Sequence, residues 1–472
     1  MRIIAQFVGV NKPIEAAVTS HIHARWPRVT INIGGVEASQ DSPQAVLVIA
    51  SRRPVVNKEK WLFRETIEVE GMSPEEVLFL VDAKLGKLTK AKLLNPQGGI
   101  TFSSPVSRRD FLSGAFRKHT QPNDAPVVLP DSCEVRFGCR KCVEACPAPG
   151  ALTIEDKSVV VSSDRCIRCG LCAGICPVAA VQIPSMPEEA YRGLLAAIEN
   201  SPAPRKTLVV TCDDQSIRQT PWVDIEEVPG VGFMGVRQTA LAASSRIDNV
   251  IVYCADGMCA GKENAKRAAT LISSLSSETT SAVTFIEGKD GATQIEQIHN
   301  SARQRVRTEV PPATPWEDYV NSIKSIASGQ TQATGLGFTD IRIADSCTLC
   351  NACSDSCPHQ ALAIQEGELI FYQEKCTGCG YCQQICPERS ITLTEKTSVL
   401  TLDAKAVYKD EMIKCTRCSA PFISAKMLNK VFTTLETSQE VLRLCPSCRR
   451  TEAYQNIFGN NSPNSKNYED MH

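Results

Sequence analysis

Residues 166–177 read Cys166-Ile-Arg-Cys169-Gly-Leu-Cys172-Ala-Gly-Ile-Cys176-Pro177, a Cys-x2-Cys-x2-Cys-x3-Cys-Pro string whose spacing decides the fold around it. The string recurs at Cys347, Cys350, Cys353, Cys357 and Pro358, and again at Cys376, Cys379, Cys382, Cys386 and Pro387. A fourth copy, Cys133, Cys139, Cys142, Cys146 and Pro147, keeps all four thiols, but Cys133 lies six positions before Cys139 where three is the rule. Each Cys-Pro is followed by a short apolar run, CPAPGALTI, CPVAAVQI, CPHQALAI and CPERSITL, so the chain carries an internal repeat. The spacing has a geometric reason: three thiolates on one tight loop reach three corners of a 4Fe-4S cubane, while the fourth points away to a neighbouring cluster. Gly170 and Gly380 relax the loop, and the proline fixes the backbone without offering an N–H that needs a partner. Structural zinc is the rival for these sixteen cysteines, but zinc knuckles come as separated Cys-x2-Cys pairs, not four thiols in one run closed by proline.

Each pair of strings resembles a bacterial two-cluster 4Fe-4S ferredoxin domain, over residues 132–184 (module A) and 341–398 (module B). The resemblance implies electron transfer through four 4Fe-4S clusters with crossed ligation. Cys133, Cys139, Cys142 and Cys176 would share one cluster, and Cys166, Cys169, Cys172 and Cys146 its partner. In module B the sets are Cys347, Cys350, Cys353 and Cys386, and Cys376, Cys379, Cys382 and Cys357. From Cys133 to Pro177 six basic residues face five acidic ones, whereas from Cys347 to Pro387 Lys375 alone faces Asp355, Glu366, Glu368 and Glu374. Negative surroundings disfavour the reduced form, so module B is expected to have the lower potentials and to face the electron donor.

A different site follows. Cys415-Thr-Arg-Cys418 and Cys445-Pro-Ser-Cys448 are two knuckles that can bring four thiolates around one tetrahedral ion, as in a zinc ribbon. Rubredoxin-type iron is the rival, weakened because no glycine follows either second cysteine. Lys414, Arg417, Arg449 and Arg450 make this end basic, yet the chain as a whole has a formal charge of −1, which argues against a nucleic-acid partner.

Between the modules, strand-like runs TLVVTC, WVDIEEV, NVIVYC and AVTFIE alternate with helical segments, beginning with a helix over 187–199, and predict a small parallel sheet. The run VPGVGFMGVRQTALAASSRIDNVIVYCADGMCAGKENAKRA resembles the delta subunit of methyl-viologen-reducing hydrogenase, which hands electrons to heterodisulfide reductase. That family places a 2Fe-2S centre here, and Cys254-x4-Cys259 matches its interval. With Cys212, however, only three thiolates are present, short of an all-Cys site. A redox-active thiol pair and plain buried cysteines remain open for this trio. Gly230, Gly232 and Gly235 have the dinucleotide-binding spacing, but Asp224, Glu226 and Glu227 in the preceding strand favour a glycine-rich strand-to-helix turn.

The rest of the chain is quieter. Residues 1–105 lack cysteine and alternate strand-like runs with an amphipathic helix after Ser73-Pro74-Glu75-Glu76, as a small α/β domain would. His21 and His23 are a candidate metal pair but have no further ligands near them in sequence, so packing or surface roles are expected. Residues 106–131 read as a linker; Ser107-Arg108-Arg109-Asp110-Phe111-Leu112 within it looks like a twin-arginine motif without the apolar segment that export requires. Residues 185–310 hold the α/β domain, 311–340 a connector with a short helix from Trp316, 399–450 the knuckle pair, and 451–472 a polar tail expected to be disordered. No window is apolar enough to span a bilayer, and the N-terminus shows no secretory pattern. Grouped rather than scattered cysteines point to a reducing cytoplasm.

The expected fold is multidomain α/β and α+β: two ferredoxin-like dicluster modules, a parallel α/β domain between them, and a C-terminal zinc-ribbon-like knuckle pair. The expected function is that of an electron-transfer subunit in a cytoplasmic oxidoreductase complex, its partners being redox subunits of heterodisulfide-reductase or hydrogenase type. The alternatives are a reductase using flavin or Cys254 and Cys259 in the middle domain, and a ferredoxin-type assembly protein for a molybdenum enzyme.

Overall fold

The computed structural model describes residues 2–8, 10–33, 44–51, 63–91, 125–212, 217, 219–255, 259–275, 282–288, 290–301, 314–327, 335–395, 402, 404–434 and 439–458. The SRRDFL string and residues 459–472 lie outside these, while residues 451–458, expected to belong to a disordered tail, continue the helix Pro446–Phe458. The described residues fall into two compact units, one drawn from 1–337 and one from 338 onward. No helix among them is long and apolar enough to cross a membrane.

The first unit begins with a four-stranded parallel sheet of Arg2–Val8, Val29–Ile33, Gln44–Ala50 and Phe63–Glu68, the first two strands exchanged in spatial order. Its second helix, Pro74–Lys90, starts where a capping box closes: the Ser73 hydroxyl accepts from the Glu76 amide at 3.4 Å and the Ser73 amide donates to the Glu76 carboxylate at 2.7 Å. From Val77 to Leu88 most of this helix is buried, Asp82, Lys84 and Lys87 included, because it is covered on more than one side. Its Gly86 lies against Gly193 of the helix Glu188–Glu199, where an added Cβ would come within 2.6 Å of the Gly193 carbonyl oxygen. Asp82 accepts from His21 Nε2, Arg25 Nη1 and Trp26 Nε1, each at 2.8 Å, so His21 is held in a packing network, while His23 is exposed.

A second parallel sheet follows, with spatial order Val223–Glu227, Thr207–Thr211, Asn249–Cys254, Ala282–Glu287. The two central strands are buried along their whole length, as apolar runs covered on both faces should be. The charged run VDIEE is the edge strand. Asp224 and Glu226 are buried there because Lys84 and Lys87 of the helix Pro74–Lys90 reach them.

Each Cys-rich region is built from two short antiparallel pairs. In module A these are Leu152–Glu155 with Ser158–Val161, and Val127–Val128 with Val181–Gln182. In the second unit Leu362–Gln365 pairs with Glu368–Tyr372, and Thr339–Ile343 with Ile391–Glu395. The strand Ala404–Lys409 extends the sheet of Glu368–Tyr372, so the segment leading into the knuckles is packed on module B. Ser424 Oγ donates to the Thr348 carbonyl from the knuckle side.

Candidate iron–sulfur and zinc centres

The local fold of each string follows from its loop. The residue after the second cysteine adopts a left-handed conformation in three copies, at Gly170 (φ 75°), Asn351 (φ 67°) and Gly380 (φ 85°), and a helical turn carrying the third cysteine begins there. The first copy absorbs its extra residues as a 3-10 turn, Glu134–Phe137, closed by Gly138 at φ 96°. After the fourth cysteine, the amide four positions on turns back to the sulfur. Ala180 N donates to Cys176 Sγ at 3.2 Å, Ala361 N to Cys357 Sγ at 3.3 Å and Ser390 N to Cys386 Sγ at 3.4 Å. Such amides favour the thiolate over the thiol. At Cys386 they act with the Ser390 hydroxyl, 3.3 Å from the sulfur, and hold the thiol below its ordinary range despite burial.

The folded chain gathers the sulfurs by fours. In the second unit one cavity is lined by Cys347, Cys350, Cys353 and Cys386, and another by Cys357, Cys376, Cys379 and Cys382. In module A the thiol of Cys142 is pushed up to about 12, first by burial and then by the like charges of Cys176, Cys139 and Cys133. Cys169 is raised by burial and by Cys146 and Cys166, and Cys172 by burial, Cys169, Cys142 and Cys166. Each set therefore takes three thiols from one string and the last from the other. The sets adjoin through their third cysteines, since Cys142 acts on Cys172 and Cys353 on Cys382. Four half-buried thiolates would repel one another strongly without a cationic core. With one, their softness and the amide donors suit an iron–sulfide cluster.

Module A has a further cation that sequence reading missed. Arg237 is buried, donates to Glu188 at 2.6 and 2.8 Å, and lowers the pKa of Cys176, though burial leaves that thiol raised overall. Its only sequence signal is its place directly after the glycine string, at the start of the helix Val236–Ser244.

Cys415, Cys418, Cys445 and Cys448 bring their sulfurs within 4.8 Å of one another, with Cys418 and Cys445 3.7 Å apart. A tetrahedral ion with metal–sulfur bonds of about 2.3 Å would set sulfurs about 3.8 Å apart, so the four fit one zinc. The Cys445 amide donates to Cys415 Sγ at 3.2 Å and is the main reason that thiol is brought down to about 6.

In the middle sheet, Cys254 ends one strand and Cys212 directly follows the parallel strand beside it, and Cys212 lies within reach of both Cys254 and Cys259. The glycine string Gly230, Gly232, Gly235 offers no cradle for a pyrophosphate and forms the strand-to-helix turn that the sequence favoured. Its backbone is already covered by the cluster loop: a Cβ on Gly232 would sit 2.5 Å from the Cys169 carbonyl oxygen, and one on Gly235 1.9 Å from that of Gly174. The glycines allow the strand-to-helix turn to lie directly on the loop that carries Cys169 and Cys172.

Comparison with known proteins agrees with the two cysteine-rich modules. Two models of a 4Fe-4S dicluster domain match residues 123–180 and 339–387. The chain is 33% identical over 67 residues to a subunit of the ion-translocating oxidoreductase complex of Methanosarcina acetivorans, covering 14% of this chain and 24% of that one. It is 35% identical over 85 residues to the polyferredoxin protein MvhB of Methanothermobacter marburgensis, covering 15% and 20%. The match to an uncharacterized ferredoxin of Methanocaldococcus jannaschii is 40% identical over 45 residues, 10% of this chain and 73% of that one. The chain thus spans a quarter or less of the first two relatives and most of the small ferredoxin. Cysteine strings that recur four times, fold as two dicluster domains and align with nearly three quarters of a small ferredoxin place this chain in the ferredoxin family, as a polyferredoxin.

Proposed function

We propose that the protein is an electron-wiring subunit of an oxidoreductase complex, with four 4Fe-4S clusters held by the crossed cysteine sets and one zinc held by Cys415, Cys418, Cys445 and Cys448. The observation that carries this reading is the adjoining of two four-thiol sets within each module. When bound, each cluster takes up and returns one electron. The chain's part is to hold the sulfurs, donate amides to them and keep neighbouring sets in contact, so that a charge entering one set is passed to the next. The relatives' names, a component of an ion-translocating oxidoreductase complex and a polyferredoxin, support redox subunits as partners. Twenty thiols grouped for metal suit a reducing, cytoplasmic setting.

Anaerobically purified full-length protein is expected to contain about sixteen irons and about one zinc per chain and to bleach on adding dithionite. Colourless protein, or colour that dithionite leaves unchanged, refutes the relay. Removing the zinc with a chelator should destabilise the second unit while leaving the iron count unchanged.

The ordering of potentials is a separate expectation. Module B carries one basic and four acidic residues between its first and last motif positions, whereas module A carries six and five and has Arg237 beside Cys176. Potentiometric titration of the full chain, with signals assigned by cysteine variants, should place module B below module A. R237Q should lower the potential of the cluster at Cys176 and leave module B unmoved. If module A proves equally or more reducing, electrons do not enter at module B.

A further inference from the structure

The three remaining thiols stand beside the relay rather than apart from it. Cys212 follows the strand Thr207–Thr211 and Cys254 ends the strand Asn249–Cys254, next to each other at the carboxyl end of the parallel sheet. Cys259 precedes the helix Lys262–Leu275, and the backbone N–H groups of Gly261, Val231 and Gly232 lie close enough to its sulfur to favour the thiolate. Those residues also carry the cluster loop: the backbone at Gly232 and Gly261 packs on the Cys169 carbonyl so closely that a Cβ on either would sit 2.5 Å from its oxygen. Cys259 is near enough to Cys169 for its charge to be felt there. Cys212 lies within reach of both Cys259 and Cys254, but Cys254 is 0% exposed, whereas Cys212 and Cys259 are half-buried.

From this arrangement we propose that Cys212 and Cys259 form a redox-active dithiol/disulfide couple that exchanges electrons with module A, with Cys254 remaining a thiol behind them. The proposal rests on the relay described above. In the oxidised form a Cys212–Cys259 S–S bond is present. On reduction that bond breaks, each sulfur takes one electron and one proton, and the two electrons come singly from two one-electron-reduced 4Fe-4S clusters of module A, the protons from solvent. The couple would turn the relay's single electrons into a pair.

The test uses anaerobic full-length protein, oxidised with a mild dye such as thionin, denatured near neutral pH with excess N-ethylmaleimide and a metal chelator, and mapped by mass spectrometry. All 23 cysteines should be alkylated in a sample first reduced with dithionite. In the oxidised sample only Cys212 and Cys259 should escape, as one cross-linked peptide pair. Reductive titration of C259S should consume about two fewer electrons per chain than wild type at unchanged iron content. C254S should keep the cross-link. Alkylation of Cys212 and Cys259 in the oxidised sample overturns the proposal, as does a Cys212–Cys254 link. Loss of about two irons from C254S also overturns it, because the trio would then hold a metal centre. In each of these cases the colour and the dithionite bleaching of the four clusters would persist, so the couple can fail while the relay stands.

Discussion

The double variant C353A/C386A should retain about twelve of sixteen irons, whereas C382A/C386A should retain only about eight, if each lost cluster takes four irons with it. The reasoning is one of additivity. Two substitutions that strike one site cost no more than either alone, while two that strike separate sites add. Cys353 and Cys386 line the same cavity, although 33 positions and a strand pair lie between them. Cys382 and Cys386 belong to one string and one helical turn, yet they line different cavities. Ligation string by string would invert the two counts, with eight irons in the first variant and twelve in the second. Iron analysis with protein quantitation on anaerobic samples reads the difference directly, and the single variants, each expected to lose about four irons, show that one vacated site does not empty the next.

What could be read from the sequence was whatever depends on short intervals. Three thiols within seven positions have few ways to meet one object, so the strings announced clusters, and the four apolar runs after Cys-Pro announced the strands that close each module. The longer loop at Cys133 was legible as complete but not as a shape. Nothing in the run EVRFG declares that a 3-10 turn ending in a left-handed glycine takes up the extra residues. The four strands of the middle sheet were likewise visible as apolar runs, except in meaning: Asp224 and Glu226 looked wrong for a buried parallel strand.

That difficulty came from distance along the chain. The partners of those acids lie about 140 positions earlier, on a helix whose own sequence gives no sign of what it will cover. The glycine string was legible as a turn, but what packs on it was not, for a related reason. A run of residues without side chains marks close backbone approach, and whether a phosphate or another loop approaches is decided by tertiary contacts. Here the loop at Cys169 occupies the place, which also explains how Cys259 comes to stand beside module A although it lies 83 positions beyond Cys176.

Replacing Lys84 by methionine should cost about 3–5 kcal/mol of stability, because it leaves buried carboxylates without their countercharge. Lys84 Nζ reaches Asp224 Oδ1 at 3.0 Å, Glu226 Oε1 at 2.9 Å and the Ile225 carbonyl at 2.6 Å, and Lys87 meets both Glu226 and Glu65. Three carboxylates against two ammonium groups cannot all stay charged at no cost. Burial pushes Asp224 up to about 7, opposed by Lys84 and aided by the charges of Glu226 and Glu65. Glu226, gripped by both lysines, is held down to about 2 in spite of its burial. The signs then follow. Glu226 contributes stability that is complete above its ordinary value of 4.5 and is lost as pH falls toward 2. Asp224, raised from 3.8, makes the fold progressively less stable as pH rises from about 4 to 7, because the folded state holds its proton more tightly. D224N, which is neutral at every pH, should therefore flatten that decline and be at least as stable as wild type at pH 7. Urea unfolding of the anaerobic full-length chain at pH 5, 6 and 7 checks both variants. If K84M unfolds at the wild-type urea concentration, the N-terminal helix does not neutralise this edge strand, and the buried acids must find their countercharge elsewhere.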